Sequence, residues 1–191
     1  MRRARAGPAP VRTAVVAWFT VLTLSAALFA PIAIGVRRLS TGRTMRLAVV
    51  AGIAAAAVQV IGLSRWPLLV PGYAADATSA DPAVAASARD AFDTAHQVLG
   101  HLVGETFGYL LTAAWTLLVL AAVGRQLAGR WFTVLGAASA VLILAGVLSP
   151  LDLPGVDLAN FAGYMLWSSW LVAFAVVLVR TPRPALPGVR V

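Results

Sequence analysis

Long apolar runs along this chain are separated by short clusters of arginine, proline, glycine and aspartate. The runs cover about residues 13–36, 45–64, 98–123, 131–148 and 158–179. Each approaches or exceeds the ~20 residues that a helix needs to cross a ~30 Å hydrocarbon core. The pattern predicts an all-α fold, a polytopic transmembrane helical bundle of about five spans.

The punctuation between the runs refines this. Pro31 is placed to kink the first span. Arg65-Trp66-Pro67, an interfacial aromatic followed by a helix breaker, is expected to end the second, leaving residues 67–81 as a loop. Asp81-Pro82 reads as an N-cap with proline in the first helical position. A short extracytoplasmic helix is therefore expected to start there and lead into the third span. Gly124-Arg125 and Gly129-Arg130 bracket a basic turn, and the tight turn from Ser149 to Asp157 leaves Asp157 to cap the fifth span. The organisation expected is a basic N-terminal tail (1–12), one transmembrane domain (13–180) and a disordered Pro/Arg tail (181–191). The basic start resembles a signal peptide, but the first run outlasts the ~7–15 apolar residues of such a segment, so a retained helix is expected.

Composition agrees with a membrane chain: 60% hydrophobic residues, 12% charged and a mean hydropathy of +0.86. Without cysteine there is no disulfide or thiolate chemistry, and without lysine there is no Schiff base and no P-loop. The net charge of +8 comes entirely from arginines set at the ends of apolar runs. They form no stripe with interleaved aromatics, so nucleic acid is not the expected partner. Arg37, Arg38, Arg43, Arg46, Arg125, Arg130, Arg180, Arg183 and Arg190 fall on one side of a five-span arrangement, and Asp76, Asp81, Asp90, Asp93, Asp152 and Asp157 on the other. The positive-inside rule then puts the C-terminus in the cytoplasm and the N-terminus outside, in the plasma (inner) membrane. Arg2, Arg3, Arg5 and Arg12 would be external, against that rule.

Candidate chemistry concentrates in the third span. Gly100, Gly104 and Gly108 repeat every fourth residue, a stripe that admits close approach of another helix within the bundle or of a second copy. Gln97, His101 and Glu105 form a parallel stripe about 100° around an α-helix. A charge facing lipid is costly, so Glu105 is expected to face inward, sharing a hydrogen bond with His101 one turn away. On α-helical geometry His96 lies nearly opposite Glu105, and His96 and His101 diverge too far to hold one metal ion. No metal or cofactor is expected. Counting ~1.5 Å per residue puts Gln59, Glu105 and Tyr164 at one depth, with Asn160, His101 and Arg65 nearer the surface. The other halves of the spans offer Thr112, Thr116, Ser168 and Ser169. A channel or carrier needs polar groups through the whole thickness, so the pattern favours a blind, outward-facing pocket.

The segments from Phe92 to Leu120 and from Ser149 to Phe174, with GLSRWPLLVPGYA before them, resemble domain-of-unknown-function family four-three-eight-six, a bacterial multi-span membrane family. The resemblance runs over about 46–180 and includes Arg65, Trp66, His96, Gln97, Gly104, Glu105, Asp157 and Asn160. It implies a polytopic membrane fold, often with a further N-terminal helix, and no particular activity. The function expected is a non-enzymatic membrane protein binding a small apolar or amphipathic ligand through Gln59, Arg65, Gln97, His101, Glu105, Asn160 and Tyr164. The alternative is an intramembrane enzyme or redox subunit using His101 and Glu105.

Overall fold

The computed structural model describes residues 9–180, almost all of them helical. Much of both expected tails, with Arg2, Arg3, Arg5, Arg183 and Arg190, lies outside that range. Helices α1 (Ala9–Ala27) and α2 (Phe29–Gly35) divide at Leu28. The cause is Pro31, which has no N–H to give the carbonyl of Ala27 four residues earlier.

Helix α3 (Arg43–Leu68) corrects the expected stop at Arg65-Trp66-Pro67. Pro67 removes only its own N–H, and the Leu69 N–H still reaches the Arg65 carbonyl at 2.9 Å, bridging the proline. The break comes at Leu69, after which α4 (Val70–Asp76) continues, so the loop shrinks to residues 77–81. Asp81 caps α5 (Pro82–Ala95), its carboxylate accepting from the Ala83 N–H at 2.9 Å. Residues His96–Phe107 then form a π-helix, α6 (Gly108–Val119) follows, and a second π segment covers Leu120–Gly124. Helix α7 (Arg125–Ala145) contains Gly129 at φ 76°, ψ −159°, a left-handed conformation that glycine adopts without strain. There the chain turns back: Gly124 lies against Thr133, and Gly136 against Leu120. After a 3₁₀ turn (Gly146–Leu151), α8 (Val156–Arg180) begins. Asp157 sits inside the first turn of α8 and accepts from the Ser149 hydroxyl at 2.8 Å, which is not the capping position expected for it.

Among the described residues, four helical stretches are long and apolar enough to cross a membrane: 12–39, 43–76, 82–151 and 156–180. The third contains the reversal at Gly129. Helix α3 packs against α1, α2, the first π segment and α6, while α7 and α8 form an antiparallel pair. The core joins Met45, Ala48 and Ala55 of α3 to Trp115 and Val119 of α6, Phe132 of α7 and Trp170 and Phe174 of α8. Ser139, which the one-sided polar pattern overlooked, is buried in α7 and satisfied by the Gly136 carbonyl at 2.8 Å.

Two glycines seat the largest core side chains. The Trp115 indole occupies the space beside Gly52, and the Trp170 indole that beside Gly136. Both indole N–H groups are buried with no hydrogen-bond partner among the described residues. Each such orphan costs on the order of 1–3 kcal/mol, so dispersion in the aromatic cluster of Phe29, Trp115, Phe132, Trp167, Trp170 and Phe174 must offset it. A Cβ at Gly52 would collide with Ala33 and with Trp115. Gly52→Val should therefore destabilise the bundle by about 1–3 kcal/mol, measured as a lower unfolding midpoint in detergent. Gly72→Ala, with nothing within 4 Å of its added Cβ, serves as the neutral control.

Candidate functional site

Several of the candidate residues gather where α3 crosses the first π segment. Gly62 and Gly104 are the contact point: a Cβ built on Gly62 would lie 2.5 Å from the Gly104 Cα. On either side of it the α3 side chains fill the spaces that Gly100 and Gly108 leave. The Arg65 guanidinium covers Gly100, 2.7 Å from where its Cβ would be, and Gln59 covers Gly108, with its Cγ at 3.3 Å. All three glycines of the stripe thus face one helix of the same chain.

A cavity of about 370 Å³ opens at this crossing, lined by Phe19, Gln59, Arg65, Trp66, His96, Glu105, Tyr109 and Tyr164 among others. A second, of about 680 Å³, is lined by Gln97, His101, Glu105, Tyr109, Asp152, Asp157 and Asn160 with the Ser149-Pro150 turn. Glu105 and Tyr109 belong to both, so they form the partition. The candidate residues are therefore split: Gln59, Arg65 and Tyr164 line the first space, and Gln97, His101 and Asn160 the second. Asn160 is committed to structure, donating to the Ile143 carbonyl at 2.8 Å.

The π-helix changes the angular geometry. Bonding i→i+5 brings residues five apart over one another, so the His96 and His101 rings meet with centroids 4.6 Å apart. The expectation that they diverge, and that His96 lies opposite Glu105, is overturned: His96 and Glu105 line the same cavity. Fewer degrees per residue bring positions nine apart close to two full turns. The Thr106 hydroxyl donates to the carbonyl of His101, five residues back, at 2.9 Å. In an α-helix that hydroxyl would reach the third or fourth residue back. His101 Nδ1 and Glu105 Oε2 are 2.8 Å apart, on the partly exposed side. Among the described residues no group of three or more His, Cys, Asp or Glu side chains is placed to hold a metal ion.

From the lining residue Gln59, hydrogen bonds continue into the bundle and tie three helices together. Gln59 Nε2 donates to Thr112 Oγ1 at 2.9 Å, and Tyr164 lies beside Thr112. Thr116 donates to the Thr112 carbonyl at 2.9 Å and accepts from the Trp167 indole at 2.8 Å. Both threonines are fully buried. Tyr109 escaped the sequence reading although it continues the Gln97, His101, Glu105 spacing by one more step of four. Gly62 escaped it too, being a single glycine in an apolar run.

Membrane-length helices, a lipid-compatible exterior and a polar cluster confined to one end define a polytopic α-helical membrane protein. The chain belongs to the family described as Domain of unknown function (DUF4386), found in bacterial multi-span membrane proteins, which matches residues 1–175. That match extends through α1, beyond the segment from Arg46 onward on which the resemblance was read. No curated protein and no solved structure matches the chain.

Backbone contact at Gly62 and Gly104 leaves no room for a side chain. Gly104→Leu should separate α3 from the π segment, lower the unfolding midpoint in detergent and cost about 1–3 kcal/mol or more. A parental melting curve would mean that these two helices do not meet there.

Proposed function

We propose that this protein crosses the membrane five times, N-terminus outside and C-terminus inside, and binds a small apolar or amphipathic ligand in an outward-facing pocket. The count of five takes the reversal at Gly129 as a turn at the membrane surface, dividing the 70-residue stretch into two crossings. The orientation rests on Arg37, Arg38, Arg43, Arg46, Arg125, Arg130 and Arg180, at the end of the bundle opposite Asp76, Asp81, Asp152 and Asp157. Arg12 stands against the rule, since it lies at the aspartate end and donates to the Pro71 carbonyl at 2.7 Å.

The observation that carries the binding reading is the lining of the smaller cavity. Phe19 from α1, Gln59 and Arg65 from α3, Glu105 from the π segment and Tyr164 from α8 converge on one space of about 370 Å³. Mixed aromatic and polar walls around such a volume suit a small ligand with one polar end. A second reading, an intramembrane enzyme or redox subunit, draws on the 2.8 Å contact between His101 and Glu105. A Soret band in protein purified from native membranes would favour the redox form of it.

Two measurements test the proposal. With single cysteines at Ala77 and Ala185, an impermeant thiol reagent should label only Ala77→Cys in intact cells; labelling of Ala185→Cys would overturn the orientation. Mass spectrometry of lipids held by the protein in native bilayer discs should show an enriched species. Leu63→Trp, which places an indole in the cavity, should abolish that enrichment. Equal lipid profiles for parent and variant would sink the pocket.

A further inference from the structure

Arg65 is the buried charged side chain among the described residues, with 8% of its surface exposed. Its guanidinium is permanently cationic and carries five N–H donors in a planar fork. Nη1 donates to the Gly62 carbonyl one turn back at 2.6 Å, and Nη2 lies 3.4 Å from His96 Nδ1. The Trp66 ring centroid lies 5.5 Å from Cζ. Because an arginine can only donate, His96 Nδ1 accepts in this contact, which makes the imidazole neutral with its proton on Nε2.

No carboxylate of the described residues stands within ion-pair distance of Arg65. Glu105 is the acid on the same cavity wall, but His101 engages it from the neighbouring space. Glu105 acts on Arg65 only from beyond ion-pair distance, and a buried cation with no directly paired carboxylate costs several kcal/mol, more where lipid replaces water. Two of the fork's donors are used by neutral groups, and the side chain borders an open volume.

We infer that Arg65 receives the anionic end of an amphiphile, a carboxylate or phosphate group on an apolar chain. The chain then runs along Phe19, Leu63 and Trp66, and His96 holds the guanidinium in place from the far side. The inference rests on the binding pocket proposed above and adds the sign of the ligand's charge. Fork geometry supports it, because carboxylate and phosphate oxygens accept two parallel N–H bonds from one guanidinium. The absence of a side chain at Gly100 supports it too, since it lets the guanidinium lie flat against the π segment. Glu105 limits affinity by like-charge repulsion and restricts the headgroup to the Arg65 side.

The test uses the full chain in neutral detergent and four probes with one tail length: decanoate, decyl phosphate, decanol and decyltrimethylammonium. Inorganic phosphate is added as a tail-less control. The two anionic amphiphiles should raise the unfolding midpoint saturably, with decanol weaker and the cation without effect. Arg65→Gln should weaken decyl phosphate binding roughly tenfold to a hundredfold, the range expected for losing a hydrogen bond to a charged group. Glu105→Gln should strengthen it. If Arg65→Gln does not fold, Arg65→Lys, which keeps the charge and loses the fork, should show an intermediate loss. Decanol binding as tightly as decanoate would overturn the charge assignment and leave the pocket standing. Inorganic phosphate matching decyl phosphate would overturn the amphiphile. Failure of all four amphiphiles on the parent, with Leu63→Trp melting identically in their presence, would remove the pocket itself.

Discussion

The contact between Gly62 and Gly104 is the constraint around which this end of the molecule is organised. With no Cβ on either residue, two backbones meet where side chains elsewhere hold helices apart. Close approach there brings α3 side chains above and below the crossing directly onto the π segment. Arg65 falls on Gly100 and Gln59 on Gly108, each filling a space that glycine leaves. The cavity is what remains between them once Phe19, Trp66 and Tyr164 close in from α1, α3 and α8.

Burial of a guanidinium in such a place looks costly, yet the surroundings explain how it is held. A carbonyl of its own helix, a neutral imidazole and an aromatic face each take part of its field without neutralising it. The nearest acid is drawn aside by His101. A guanidinium is thus held at the edge of the cavity. Elsewhere in the core Trp115, Phe132 and Trp170 pack against one another, and two indole N–H groups have no partner among the described residues.

Much of this was legible in the residues themselves. Apolar run length marked the membrane helices, Asp81-Pro82 marked the start of α5, and the fourfold spacing of Gly100, Gly104 and Gly108 marked a face for close packing. Gln59, Glu105 and Tyr164, expected at one depth from residue counting, line one cavity. What was not legible was angular. The segment from His96 to Phe107 has no local signature that separates i→i+5 from i→i+4 bonding, so an α-helical wheel sent His96 to the wrong face. Pro67 misled for a related reason: breaker residues are local, whereas the Leu69 to Arg65 bond that carries the helix past it is not visible in any dipeptide.

The two π segments have a consequence for how this chain tolerates changes in length. A π turn holds surplus residues compared with an α turn of the same angle, so each one is a store of slack. Removing one residue between His96 and Phe107 can be absorbed by one turn tightening into α geometry, leaving Gly108 and everything after it in register. The same deletion in α6, between Leu110 and Leu118, has no slack to draw on. It rotates every later residue by about 100° and turns Thr112, Trp115 or Thr116 away from the groups they meet. Related chains of different length should therefore gain and lose single residues in the π segments, and keep α6 at constant length.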